Sequence, residues 1–147
     1  MQQIIQETDF QKARNKIKEA RQHGNTIIFM SNDDELNRKI LEKEKIDILL
    51  ISLRERKDKQ KQRNSGFNHV LARSAAKKKV SIGININEIL TSRGKEKSDV
   101  IARVAQNIKI CSKNKLKMVF LPELRDKYET KSLGLILGMP TWMTKEL

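Results

Sequence analysis

Short apolar runs alternate with amphipathic stretches along the whole of this chain. Thr26–Met30 (TIIFM), Ile46–Ile51 (IDILLI), Val80–Ile86 (VSIGINI) and Met118–Leu121 (MVFL) are brief and rich in branched side chains. Runs of that length and composition predict buried strands. Helical patterns lie between them. Phe10, Ala13, Ile17 and Ala20 share one face of a helix that Thr8–Asp9 can cap and Gly24 can stop. Ser31–Asn32–Asp33 is a second N-cap cluster, ahead of a helix that carries Leu36, Ile40 and Leu41 and ends near Lys43. Phe67, Val70, Leu71, Ser74 and Ala75 mark the core face of a third. Asn87–Leu90 reads as a brief helical turn. Ser98 is the expected cap of a long helix whose inner face is Val100, Ile101, Val104, Ile108 and Cys111. A last helix is expected from Thr130 or Lys131, ended by Gly138 and Pro140.

A strand followed by a helix, repeated four times, implies parallel strands joined by right-handed crossovers. Either an open doubly wound sheet or part of a β/α barrel satisfies that pattern. The Val80–Ile86 run discriminates between them. Val80, Ile82, Ile84 and Ile86 point one way, and Ser81, Gly83 and Asn85 the other. Large residues against helices and small ones facing inward suit a narrow barrel interior. An open sheet covered on both faces is more often apolar on both sides. The expected fold is therefore α/β, a partial or truncated TIM-like β/α barrel with parallel strands. A complete barrel has eight βα units in about 250 residues, and this chain of 147 supplies four. One domain over residues 1–147 is expected, with an N-terminal helix within 1–25, βα units over 26–140 and a polar, basic loop over 53–65.

Charge is what turns this fold reading toward function. The chain carries 31 Lys and Arg against 18 Asp and Glu, a formal net charge of +13. Such an excess destabilises a lone domain by self-repulsion and predicts a polyanionic partner, either nucleic acid or an anionic membrane surface. Arg54, Arg56, Lys57, Lys59, Lys61 and Arg63 fall within ten residues. Lys77, Lys78 and Lys79 close the third helix, where cations also favour the helix C-terminus. Arg93, Lys95 and Lys97 populate the expected loop after the Val80–Ile86 strand. These twelve are the candidate RNA-binding residues. Aromatics are scarce among them, which argues against stacking on single-stranded bases and for recognition of a folded RNA through its backbone and shape. No apolar run approaches the ~20 residues that span a bilayer. Met1–Ile5 has neither a basic n-region nor a long apolar h-region, so no signal peptide and a cytoplasmic location are expected. Cys111 is the single cysteine, which excludes an internal disulfide and any multi-cysteine zinc site.

Independent catalysis finds little support in the residues. Chemistry in a β/α barrel sits where strands end, and those ends offer Asp33, Asp34, Glu88 and Glu123. A metal-dependent phosphoesterase needs several His and carboxylates converging there. The only histidines are His23, beside the Gly24 helix stop, and His69, on the flank of its helix. Asp33–Asp34 is better explained as a helix cap, and Cys111 as core packing. No cofactor and no metal site are expected. A standalone phosphoesterase using Asp33, Asp34, His69, Glu88 or Glu123 is the alternative, and a generic basic RNA-binding protein is another.

The order of these pieces resembles the archaeal ribonuclease P protein component 3 family. The likeness begins at Thr26–Asp33 (TIIFMSND), continues through Ile46–Ser52 (IDILLIS) and is clearest in Gly66–Arg73 (GFNHVLAR) followed by Val80–Leu90. It runs on through the long helix ending in Cys111 and closes with Lys131–Leu135 and Leu137–Met139, covering roughly residues 26 to 140. The resemblance implies a barrel related to metal-dependent PHP-type phosphoesterases but without their metal site. It implies a non-catalytic subunit of ribonuclease P, which trims the 5′ leader from precursor tRNA and in which the RNA subunit cleaves. Ribonuclease P RNA, precursor tRNA and a second small subunit, component 2, are the implied partners. Three departures stand out. This chain has Asn68 where the family usually has Asp, and Leu121–Pro122–Glu123 where it has a small Ser-Gly-Ala-like turn. By its recognisable motifs, which begin at residue 26, it is also expected to lack the family's opening part of the barrel. An open barrel exposes strand edges and inner apolar surface, so a partner or a second copy is expected to cover them.

Overall fold

The computed structural model describes residues 1–147. Five parallel strands pair in chain order: β1 (Gln2–Gln6), β2 (Thr26–Ser31), β3 (Ile48–Ile51), β4 (Ser81–Asn85) and β5 (Met118–Leu121). The helices are α1 (Phe10–Gln22), α2 (Asp34–Lys43), α3 (His69–Lys78), α4 (Ile86–Thr91), α5 (Gly94–Lys113), α6 (Lys127–Leu137) and α7 (Thr141–Thr144). Side-chain oxygens start five of them. Asp9, Asp33, Asn68, Asn85 and Asp126 accept the free first-turn N–H groups of α1, α2, α3, α4 and α6.

Strict alternation along the strands divides the sheet into two faces. Ile5, Phe29, Leu49, Ile82 and Met118 lie on one face, in a single 33-residue cluster with the apolar stripes of the helices. Ile28, Ile48, Leu50 and Leu121 form a second cluster on the other face, with Met30 and Val119 packed against it. No helical residue belongs to that second cluster. Helices therefore cover one face only, as right-handed crossovers between sequential strands require. Gly83 sits in the middle of the helix-free face. A Cβ there would lie 3.0 Å from Leu50 Cδ1, 3.2 Å from Ile48 Cγ2 and 3.3 Å from Leu121 Cδ1. The small residues of β4 thus make room for large neighbours, the packing of a narrow barrel interior. Gln2 Nε2, on the first strand, donates to Glu123 Oε1 just beyond the last, at 3.3 Å. The sheet curls far enough to bring its two ends together, as a partial TIM-like barrel does.

Five details differ from the pattern-based expectation. Residues 1–25 hold a strand as well as a helix, so there are five strands. β1 escapes a periodicity reading because it is an edge strand with one buried apolar residue, Ile5, between polar ends. Val70 is not core: it is 62% exposed, because α3 buries Leu71, Ala72 and Ala75. Ile101 also faces outward, because Arg103 and Asn107 take places on the buried stripe of α5. That helix begins at Gly94 rather than Ser98, so Lys95 and Lys97 belong to its first turns and not to a loop. The last helix begins at Lys127, capped by Asp126, rather than at Thr130 or Lys131.

Candidate nucleic-acid interface

The basic loop after β3 has no strand or helix of its own, yet it is anchored from three sides. Glu88, a buried carboxylate on α4, accepts the backbone N–H groups of Leu53 at 2.8 Å and Arg54 at 3.0 Å. From α5, buried Arg103 donates to Leu53 O at 3.0 Å, to Arg56 O at 2.8 Å and to Asp58 Oδ1 at 3.3 Å. One turn on, Asn107 donates to Ser65 O at 3.2 Å, and Gln106 to Arg63 O at 3.3 Å. Within the loop, Asp58 accepts from Asn64 N at 2.7 Å. That bond, followed by the Arg103 guanidinium, holds the Asp58 carboxyl below the usual carboxylate range against the opposing effect of burial. A tight turn at Lys59–Gln62 is closed by reciprocal backbone bonds of 2.9 and 3.0 Å. Loops of this length normally lose order unless their backbone groups are paired. Here the pairing comes from side chains on two helices, so the loop presents its cations in a fixed arrangement.

The twelve sequence-predicted cations separate into internal and outward-facing groups. Arg56 is an internal strut. Its side chain is 9% exposed and donates to Ser52 O at 2.6 Å and to both carboxylate oxygens of Asp34 at 2.9 and 3.0 Å. Gly66 makes this possible: its φ is +70°, and a Cβ there would fall 2.4 Å from Arg56 Nη2. Arg54 pairs with Glu96 at 2.6 Å, and that contact raises its pKa. Lys57, Lys59, Lys61 and Arg63 are exposed and make no salt bridge. Arg93, Lys95 and Lys97 gather at the start of α5, where cations oppose the helix dipole. Lys77, Lys78 and Lys79 stand apart at the far end of α3, where Lys78 Nζ donates to Glu42 O beyond the end of the α2 stripe. The ten residues of α3 put about 15 Å between that cluster and the loop. The cations therefore do not form one continuous patch.

The residues of the catalytic alternative do not converge. Asp33 caps α2, Asp34 pairs with Arg56, Glu88 holds the loop backbone, and Glu123 accepts from Gln2. His69 Nδ1 lies 3.0 Å from Asn114 Nδ2. No three His, Cys, Asp or Glu side chains gather as metal ligands would need to. Burial pushes the Cys111 thiol up to about 12, so it stays protonated inside the core.

Sequence reasoning missed the anchors, Arg103, Asn107 and the loop-holding role of Glu88. A usable signal was present for two of them. Arg103 and Asn107 fall at i+3 and i+7 from Val100, on the apolar stripe that Val104, Ile108 and Cys111 continue. A polar residue at a core position has a buried partner to find.

Fold and site together define a half-barrel β/α protein that displays a pinned cationic loop beside its helices. Comparison with known proteins places it further. The family model described as RNase P subunit p30 matches residues 4–145, and the chain belongs to that family. The match starts inside β1, well ahead of the residue 26 at which the motifs become recognisable by eye. Ribonuclease P protein component 3 of Methanococcus maripaludis is 27% identical over 131 residues, 89% of this chain and 54% of that protein. Its counterpart in Methanocaldococcus jannaschii is 29% identical over 119 residues, 81% of this chain and 49% of that protein. The chain thus spans about half the length of the curated relatives it matches. A chain in a cryo-EM structure of archaeal Ribonuclease P with mature tRNA superposes with a TM-score of 0.78, at 23% identity, over 97% of this chain and 62% of that one. That likeness establishes the shared fold. No helix is long and apolar enough to cross a membrane.

Proposed function

We propose that this chain is a non-catalytic protein subunit of ribonuclease P, acting in the cytoplasm to support the catalytic RNA as it removes the 5′ leader from precursor tRNA. Membership of the p30 family supplies the enzyme. The carrying observation is the loop itself: four exposed cations without acidic partners, on a backbone that Glu88, Arg103 and Asn107 hold in place. With the backbone already held, only side-chain freedom is lost when these cations meet phosphates, which suits a scaffold that must grip RNA without cleaving it. All twelve predicted cations remain candidate contacts under this reading, with Arg54 and Arg56 contributing mainly by shaping the loop. Component 2 is the proposed protein partner. Either it or a second copy of this chain would cover the open edges of β1 and β5, since the sheet's own curl already buries Ile28, Leu50 and Leu121 on the helix-free face.

Capture from native extract tests this directly. The tagged chain should retain ribonuclease P RNA as its dominant RNA on sequencing, and should retain component 2 after nuclease treatment. Recovery of ribosomal RNA in its place would favour the generic RNA-binding reading and overturn ours.

A further inference from the structure

A groove of about 680 Å³ opens where the basic loop meets the starts of α2 and α3 and the second half of α5. Only four of its nineteen lining residues are hydrophobic. Small-molecule sites are predominantly apolar, so this lining points away from a compact organic ligand. Its charge is one-sided. The two acids in the wall are already neutralised, Asp34 by Arg56 at 2.9 Å and Glu35 by Arg38 at 2.9 Å. Lys57, Lys59 and Arg63 from the loop, and Lys109 and Lys113 from α5, have no salt-bridge partner. Lys109 and Lys113 are one helical turn apart on the same face. They stand outside the twelve cations that the linear sequence singles out.

We propose that this groove is the principal seat for one strand of a double-helical RNA stem, gripped by its phosphates between the loop and α5. The proposal rests on the subunit reading above and gives it a location. Phe67 is buried, which leaves His69 as the single exposed ring in the lining, too few for successive bases to stack on. That favours the sugar-phosphate edge of a paired stem over a single strand. A-form stems are gripped through shape and phosphate contacts, since side chains cannot read their deep major groove. The cations at the far end of α3, Lys77 to Lys79, lie outside this seat.

Fluorescence anisotropy with a hairpin RNA carrying a stem of about 16 base pairs tests the assignment. Each phosphate contact contributes about 0.9 to the slope of log affinity against log salt. Lys109→Gln with Lys113→Gln should reduce that slope by about 2 and weaken binding on the order of tenfold at moderate salt. Lys18→Gln with Lys45→Gln, two exposed cations on α1 and just ahead of β3 that do not line the groove, should leave both quantities near wild type. Circular dichroism melts confirm that each pair folds. Equal losses from the two pairs, or no loss from the α5 pair, would overturn the groove. So would a wild-type protein that does not bind the hairpin at low salt. The subunit reading stands or falls separately, on the RNA recovered from extract.

Discussion

Replacing Arg103 with Met should loosen the basic loop while leaving the barrel assembled. Arg103 is 4% exposed and spans the gap between α5 and the loop with three hydrogen bonds. Met keeps most of the aliphatic stem, so the packing beside Val100 and Val104 is largely retained. What goes is the partner of two loop carbonyls. Leu53 is buried and Arg56 half-buried, so Leu53 O and Arg56 O lose their donor away from bulk water. Leaving a buried acceptor unpaired costs about 1–3 kcal/mol each. Asp58 loses a cationic neighbour too, but it is 38% exposed and water replaces that contact cheaply. One effect runs the other way: Arg103 Nε has no protein partner, so Met removes a polar atom that is poorly served in the native state. The sum is a loss of about 2–4 kcal/mol, concentrated on the loop. Hydrogen exchange reads this locally. Amides of Leu53, Arg54 and Asn64 should lose roughly 30- to 1,000-fold of protection, with the β2–β4 amides far less affected. Arg103→Lys, a point charge without the fork, should fall between. Unchanged protection at Leu53 and Arg54 in Arg103→Met would refute the reasoning.

Glu88→Ala should release the same loop from the α4 side and cost about 2–4 kcal/mol in denaturant unfolding, whereas Glu88→Gln, which keeps an acceptor oxygen, should cost distinctly less. Gly66→Ala should destabilise by at least about 1 kcal/mol. Its Cβ collides with the Arg56 guanidinium at 2.4 Å, and its φ of +70° disfavours any side chain. The thermal midpoint reads this, and Arg56→Met should relieve the steric part of the effect. Asp58 predicts a pH dependence. Its pKa is lower folded than unfolded, so the stability it contributes is present above the unfolded carboxylate value and is lost as pH falls through the folded one. Loop exchange protection, corrected for the intrinsic rate, should therefore hold from neutral pH down to about pH 4 and decline only below it.

The fold was legible because its signals are local and repeated. Branched apolar runs alternate with capped amphipathic stretches, and the small–large alternation of Ser81, Ile82, Gly83 and Ile84 reports a curved sheet with a crowded inner face. β1 was not legible, since an edge strand with one buried side chain has almost no period to detect. The site was legible as a quantity of charge and not as a shape. Arg54 and Arg56 look like RNA contacts in the sequence, but Glu96 and Asp34 engage them, from 42 and 22 residues away. Conversely, Lys109 and Lys113 look like ordinary solvated helix residues until tertiary packing brings them beside Lys57, Lys59 and Arg63. Pairings over such separations are set by how helices pack, which no linear window contains.

Cleavage of precursor tRNA by ribonuclease P RNA, reconstituted with component 2 and this chain at physiological salt, tests the central claim most directly. The comparison is between wild type and a variant with Lys57, Lys59, Lys61 and Arg63 all changed to Glu. Arg54 and Arg56 are left intact because they hold the loop together. The account predicts that wild type stimulates cleavage and that the variant melts normally but fails to stimulate. Undiminished stimulation by the variant would contradict it.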